Sequence, residues 1–276
     1  MKLIGLELFK MSRRLRTYLG FAALGAIVAA MLVGLKYGPP PVERLTASMG
    51  RDFEMVGSFI NGGFAAWLVL QATVVSFMPL FACLVPGDLV SGESSDGTLR
   101  MLLARSVNRG PVLAAKYAAS AIYVAALMVF LGLAAYGFGV LVFGHGGLLV
   151  VDNGFASFPE REGLMRLAGS YGLASVSMLT IATIAFFLST LVSNSTGAII
   201  GAMAVTFVSA ALGGIDYFKP IWPYLFTTHT DVWKTAFATP HVDWSGMGLS
   251  LRYHGANIAV FLAASAIAFR RKDVLA

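Results

Sequence analysis

Six long stretches with almost no charged residue constrain this sequence more than any other feature. They lie at about positions 17–35, 64–86, 118–143, 170–192, 197–214 and 255–269. An apolar stretch of about 20 residues can cross the ~30 Å hydrocarbon core of a bilayer as a helix. Because 57% of the residues are hydrophobic and only 12% are charged, the chain lacks the charges that cover a soluble domain. The sequence predicts an all-α polytopic membrane protein with six transmembrane helices.

The count of six depends on a break between the fourth and fifth stretches. Only positions 193–196 separate them, and their sequence, Ser-Asn-Ser-Thr, favours a tight turn between two helices. If that turn were absent, the count would fall to five. Since no repeat or low-complexity tract divides the chain, residues 1–276 are predicted to form a single transmembrane domain.

The lysines and arginines cluster in three segments that lie on one side of the membrane if the helix count is even. They are Lys2, Lys10, Arg13, Arg14 and Arg16; Arg100, Arg105, Arg109 and Lys116; and Arg270, Arg271 and Lys272. Short loops rich in these residues face the cytoplasm. We therefore expect a multi-pass protein of a bacterial or archaeal plasma membrane with both termini in the cytoplasm. The net charge of +6 then indicates anionic lipids as partners rather than nucleic acid.

Motifs for catalysis are missing from the sequence. It contains no GxxxxGK[ST] loop to hold ATP phosphates and no HExxH or GxSxG motif. Cys83 is the only cysteine, and the four histidines show no metal-ligand spacing. The chain is therefore predicted not to be an enzyme and to bind no metal or cofactor. The scarcity of ionisable residues in the predicted spans disfavours an ion-coupled carrier.

The loop at positions 87–116, between the second and third stretches, carries the most information. It reads GDLVSGESSDGTLRMLLARSVNRGPVLAAK. Leu99, Leu102, Leu103 and Val107 recur at helical spacing and predict a short amphipathic helix, with Asp96 as its N-cap. Such a helix between two spans is suited to docking against a soluble partner.

This loop resembles the conserved segment of type-2 ABC exporter permeases. The matching residues are Gly92-Glu93, Gly97-Thr98-Leu99, Leu102-Leu103, Arg109 and Lys116. The resemblance implies a cytoplasmic coupling helix seated in a separate ABC ATPase subunit, which would carry ATP and Mg²⁺. It assigns ATPase coupling to Glu93, Gly97, Thr98, Leu99, Arg100, Leu102 and Leu103. The family often has proline where this chain has Val107 or Asn108, which puts the end of the coupling helix in doubt.

Two flanking segments resemble parts of the same family. Residues 1–16 are similar to its elbow helix, which lies on the inner membrane surface before the first span. The aromatic-rich external segment 215–254 resembles the re-entrant region before the last helix in bacitracin-exporter-like and copper-processing relatives. The resemblance implies an ABC-2 type permease with an interfacial elbow helix and a coupling helix.

The sequence leaves several alternatives open. Glu93 could pair with a basic group on the ATPase or be a solvated loop carboxylate. Gly197 and Gly201 form a small-xxx-small pair; packing within the subunit is favoured over packing across a dimer. The leading interpretation is one half of an ATP-driven exporter, working as a homodimer or with a paired permease. The alternative is a non-transporting ABC-type component that drives assembly or signalling of a partner.

Overall fold

The computed structural model describes residues 2–38, 60–98, 108–151, 155–239 and 241–271. Its α-helices are α1 (Lys2–Ser12), α2 (Leu15–Tyr37), α3 (Gly62–Ser76), α4 (Met78–Leu84), α5 (Ser91–Ser95), α6 (Arg109–Phe143), α7 (Glu160–Leu191), α8 (Ser195–Gly213) and α9 (Trp244–Arg271).

Four of these helices, α2, α6, α7 and α8, are long and apolar enough to cross a membrane. The bent pair α3 and α4 makes a fifth candidate if it counts as one span; its two helices meet at an angle of 64°. Helix α9 has 28 residues but falls outside this set, and its amino-terminal half carries Arg252, His254 and Asn257. The described residues thus contain four or five candidate spans, and the sixth stays a prediction.

The helix ends differ from those predicted from hydropathy. Helices α6 and α7 begin at Arg109 and Glu160, about ten residues before the apolar stretches, because polar turns continue the helix beyond its apolar part. Pro111 lies in the first turn of α6, where a missing backbone N–H breaks no helical hydrogen bond.

The break between the fourth and fifth stretches is present. Helix α7 ends at Leu191 and α8 begins at Ser195. The side chain of Asn194 accepts a hydrogen bond of 3.0 Å from the backbone N–H of Thr196, which caps the new helix.

A short β-hairpin between α6 and α7 departs from the predicted all-α fold. Strand β1 (Leu148–Val151) pairs antiparallel with β2 (Phe155–Phe158), with Leu148 opposite Phe158. Both of those side chains are buried, and the Nδ2 of Asn61 donates to the carbonyl of Gly147 at 2.6 Å. The hairpin therefore packs onto the start of α3.

The aromatic-rich segment before α9 forms 3₁₀ helices at Asp216–Phe218, Trp222–Tyr224 and Phe226–Phe237. The third of these packs against α7 and α9 and buries Trp233. His254 of α9 is buried beside it: its Nε2 lies 3.0 Å from the carbonyl of His229, and its Nδ1 lies 2.9 Å from the hydroxyl of Thr180 on α7. One imidazole thus joins the 3₁₀ segment to both helices.

Among the four single-helix candidate spans, α7 is the most enclosed, with 61% of its most apolar part buried.

Several helix ends lie together at one end of the bundle. They are α1, α5, the starts of α2 and α6, the junction of α7 with α8, and the end of α9. Arg16 contacts Ser195 at 2.8 Å, and Arg109 donates to the carbonyl of Arg270 at 2.9 Å. We call this the basic end of the bundle.

Candidate functional site: an ion cluster at the basic end

Two carboxylates and two ammonium groups meet where α1, α5 and α6 come together. The Nζ of Lys116 lies 2.7 Å from Oε2 of Glu93 and 3.0 Å from Oε2 of Glu7. The Nζ of Lys10 lies 3.0 Å from Oε1 of Glu93 and 3.4 Å from Oε1 of Glu7. Each carboxylate contacts both ammonium groups, and the formal charges cancel. These four residues are the ion cluster.

The ion cluster is largely closed to solvent. Lys116 is 0% exposed, Glu7 and Glu93 are each 4% exposed, and the Lys10 side chain is 36% exposed. Removing charges from water is costly, and mutual attraction offsets that cost only when geometry is good and the remaining polar atoms are satisfied. The third polar contact of Lys116 is the carbonyl of Leu89, which accepts at 3.1 Å. The ammonium group is therefore held by three separate partners.

The electrostatics of the ion cluster favour the charged forms of Glu93 and Lys10. Burial by itself raises the pKa of the Glu93 carboxyl, but Lys116 and Lys10 together lower it by more, so the pKa lies below its ordinary value. Burial lowers the pKa of Lys10, whereas Glu93 and Glu7 raise it, and the net pKa lies above its ordinary value. Both groups are thus charged at neutral pH.

Helix α5 is placed by a serine of another helix. The hydroxyl oxygen of Ser189 on α7 accepts from the backbone N–H groups of Val90 and Ser91, at 3.1 and 2.9 Å. Those donors have no partner within their own first helical turn. Ser189 is buried near the end of α7, and these two hydrogen bonds therefore fix the position of α5, the helix that carries Glu93.

Asp88 forms a second set of ion pairs next to the ion cluster. Its carboxylate contacts Arg14, which links α1 to α2, and its Oδ1 lies 2.7 Å from Nη1 of Arg16. The carboxylate also packs against Gly92, where a Cβ would lie 2.5 Å from Oδ1 of Asp88. A glycine is required there because any side chain would displace Asp88 from the two arginines.

Gly97, in the first described part of the predicted coupling loop, has a φ of +70°, a backbone conformation that favours glycine. The Thr98 hydroxyl donates to the carbonyl of Glu93 at 3.3 Å. Asp96 ends α5, where its N–H donates to the carbonyl of Gly92 at 3.0 Å. These contacts close the short helix with a left-handed turn at Gly97.

The structure brings some predicted site residues together and leaves others apart. Glu93, Gly97 and Thr98 lie within one turn of backbone. Leu99, Arg100, Leu102 and Leu103 lie outside the described residues, as does the helix that Asp96 was expected to begin. Both carboxylate oxygens of Glu93 face lysines of its own chain, so it is not the solvated loop carboxylate that the sequence left open.

The two glycines of α8 behave differently from each other. A Cβ at Gly201 would lie 3.1 Å from Cδ1 of Leu188, so Gly201 packs closely against α7 as predicted. Gly197 is exposed, and no atom of the described residues lies within 4 Å of a Cβ built there. Gly197 lies on the same face one turn earlier, and its favoured packing within the subunit is not seen among the described residues.

Sequence reasoning missed Glu7 and Asp88 as site residues. One signal was available for Glu7, which is the only carboxylate among the lysines and arginines of positions 1–16. Asp88 had no such signal, since no lysine or arginine lies between Arg51 and Arg100. A lone acid placed among lysines and arginines beside an apolar stretch is a candidate partner for one of them. The specific pairing had no local signal, because Glu7 and Lys116 are separated by 109 positions.

The fold and the site define an α-helical protein with four helices, or five with the bent pair, that could cross a membrane. The chain belongs to the family described as Protein of unknown function (DUF2705), whose model matches residues 45–275. It is similar to "Uncharacterized protein YhcI" of Bacillus subtilis (strain 168), at 25% identity over 228 residues, which cover 77% of this chain and 70% of that protein. The family match includes Asp88, Glu93 and Lys116 but not α1.

Proposed function

We propose that this chain is the membrane subunit of an ABC-type exporter, which moves a substrate outward with energy from ATP hydrolysed by a separate cytoplasmic ATPase. In this proposal the basic end faces the cytoplasm, six passages cross the membrane, and two permease subunits act together with two ATPase copies. The substrate path would lie between the two permease subunits.

The ion cluster is the observation that carries the proposal. It joins α5 to α1 through Glu7 and Lys10, and to α6 through Lys116. Because α6 is 35 residues long, a displacement of the loop after α4 would reach the far end of the bundle through a rigid helix. A loop that only connected two spans would not need three buried ionised groups to hold it.

Glu93 then acts as a positioning residue within the permease and not as a contact to the ATPase. Its carboxylate pairs with Lys10 and Lys116 and holds this part of the loop in place. The residues that follow would then meet the ATPase from a fixed position. The left-handed turn at Gly97 ends the short helix α5 just before the proposed ATPase contacts in the sequence. Leu99, Arg100, Leu102 and Leu103 remain the proposed contacts to the ATPase.

The basic end supports the proposed orientation. Lys10, Arg13, Arg14 and Arg16 gather there with Arg109, Lys116, Arg270 and Arg271. Excess lysine and arginine in short segments faces the cytoplasm. Exposed Leu3, Leu6 and Phe9 on α1 are suited to the inner membrane surface, as expected of an elbow helix.

The test is purification of the chain from its native membrane, followed by a search for a copurifying protein that has a GxxxxGK[ST] loop and no membrane span. ATP hydrolysis by that pair in lipid vesicles is then compared for wild type, Glu93→Gln, Gly97→Val and the control Glu160→Gln at the opposite end. We expect the permease to stimulate hydrolysis, and the first two variants to lose most of the stimulation while the control keeps it.

Two results would overturn the proposal. One is the absence of any such ATPase; the other is full stimulation in both loop variants. If stimulation depends on Glu93 but vesicles show no flux of candidate peptides or lipids, the chain would be a component that performs mechanical work on a partner.

A further inference from the structure

A groove at the basic end lies between the start of α6 and the end of α9, outside the ion cluster. It has a volume of about 270 Å³, far more than the roughly 30 Å³ share of one water molecule. Its walls are mainly apolar and include Leu113, Leu262 and Phe269. Arg109 and Arg270 line it as well, and none of the described lining residues is acidic.

The two arginines lie at the mouth of the groove. Arg109 is the first residue of α6, and Arg270 is the second-last residue of α9. Arg109 donates to the carbonyls of Phe269 and Arg270, at 3.4 and 2.9 Å. It thereby neutralises the negative end of the α9 dipole, which would otherwise repel an anion at the same place.

The apolar wall continues inward from this cationic mouth. Leu262 precedes Arg270 by eight residues, which is about 12 Å along a helix at 1.5 Å per residue. This depth fits within one leaflet, which is about half of the ~30 Å hydrocarbon core. A soluble anion would need the arginines but not the apolar wall, whereas a lipid with a negative headgroup uses both.

We propose that this groove binds one anionic phospholipid, with its phosphate at Arg109 and Arg270 and one acyl chain along Leu113 and Leu262. Cationic pockets between membrane helices recognise such headgroups by charge. The groove uses none of the residues assigned to ATPase coupling, so its test does not depend on the proposed transport activity.

The experiment measures thermal unfolding of the detergent-purified chain by tryptophan fluorescence, with four probes added in turn: phosphatidylglycerol, phosphatidylcholine, glycerol 3-phosphate and inorganic phosphate. Two variants alter the site. Arg270→Gln removes the exposed charge, and Ala114→Trp fills the groove from an exposed position. Their matched controls are Arg271→Gln and Ala126→Trp, which are exposed and do not line the groove.

We expect phosphatidylglycerol to raise the melting temperature of wild type and both controls more than phosphatidylcholine does. Its apparent affinity should fall about fivefold in Arg270→Gln, as expected for loss of one cation near a headgroup, and its effect should disappear in Ala114→Trp. Equal shifts with both lipids, or an unchanged phosphatidylglycerol effect in both site variants, would overturn the proposal. So would a shift of the same size with either soluble phosphate that persists in Ala114→Trp, because it would assign an anion site without a lipid.

Discussion

The Nζ of Lys116 lies 2.7 Å from Oε2 of Glu93, and Lys116 has no exposed surface. In the sequence, Glu93 precedes and Lys116 follows the predicted coupling helix, whose apolar positions run from Leu99 to Val107. This pair therefore joins the entry and the exit of that segment inside the bundle. Whatever the segment contacts, its two ends are held at a fixed separation.

Replacing Lys116 by an uncharged residue tests how much the pair with Glu93 contributes to the stability of the fold. We expect Lys116→Met to lower the free energy of unfolding by about 3–5 kcal/mol, because it leaves the buried carboxylates of Glu7 and Glu93 with the partly exposed Lys10 as their remaining cation in the ion cluster. Chemical unfolding in detergent measures the change. The control Lys219→Met removes a lysine whose side chain is 70% exposed and should change stability by less than about 0.5 kcal/mol.

A double-variant cycle separates pairing from packing. Glu93→Gln combined with Lys116→Met should be less destabilised than the sum of the single variants, with a coupling of about 1–3 kcal/mol. Strict additivity would contradict a direct interaction between the two groups.

Stability should depend on pH through Glu93. The folded state holds the pKa of Glu93 below its ordinary value of 4.5. The ionised carboxylate therefore contributes its full stabilisation of the fold above pH 4.5, and this stabilisation is lost as the pH falls through the folded-state pKa. The melting temperature of wild type minus that of Glu93→Gln should therefore be constant from about pH 6 to 8 and shrink in acid below 4.5. A difference that grew in acid would contradict the assigned sign.

Because Gly97 has a positive φ, a larger residue at this position should strain the backbone. Gly97→Val should destabilise the chain by about 1–2 kcal/mol, since a β-branched residue avoids positive φ. The control Gly169→Ala lies on an exposed face of α7 and should stabilise by about 0.5–1 kcal/mol. Thermal unfolding of both variants measures the contrast; equal effects of the same sign would contradict the turn.

His254 should hold the 3₁₀ segment Phe226–Phe237 onto the bundle. We expect His254→Leu to destabilise by about 2–4 kcal/mol, because the His229 carbonyl and the Thr180 hydroxyl lose their shared buried partner. Limited proteolysis should then cut between α8 and α9 at lower protease concentration than in wild type. The exposed His241→Ala variant should leave the cleavage pattern unchanged.

The sequence predicted the order of the helices because apolar stretches report membrane transfer directly. It placed the break before Ser195 correctly, since turn chemistry is local. It missed the starts of α6 and α9, at Arg109 and Trp244, because helical turns that carry polar residues add nothing to hydropathy. The hairpin that begins at Leu148 was not predicted either. Its four-residue strands lie between glycines and a proline, and they are too short to show the alternation of apolar and polar residues that distinguishes a strand from a loop.

In the candidate site too, local features could be predicted and contacts between distant residues could not. The turn at Gly97 and the importance of Glu93 could be predicted, the first from backbone chemistry and the second from resemblance. The partners of Glu93 could not, because Lys10 lies 83 positions away and only the packing of α1 against α6 brings it close. Pairings over such distances depend on the tertiary fold and have no periodic signature.

The 64° bend at Phe77 divides the second apolar stretch into α3 and α4, and both halves pack against α6 and α7. The hydroxyl of Tyr171 on α7 donates to the carbonyl of Ala66 on α3 at 2.9 Å. The hydroxyl of Tyr123 on α6 donates to the carbonyl of Phe81 on α4 at 3.2 Å. Because each half is hydrogen-bonded to a different long helix, we expect a sliding of α6 against α7 to change the angle between α3 and α4 at Phe77.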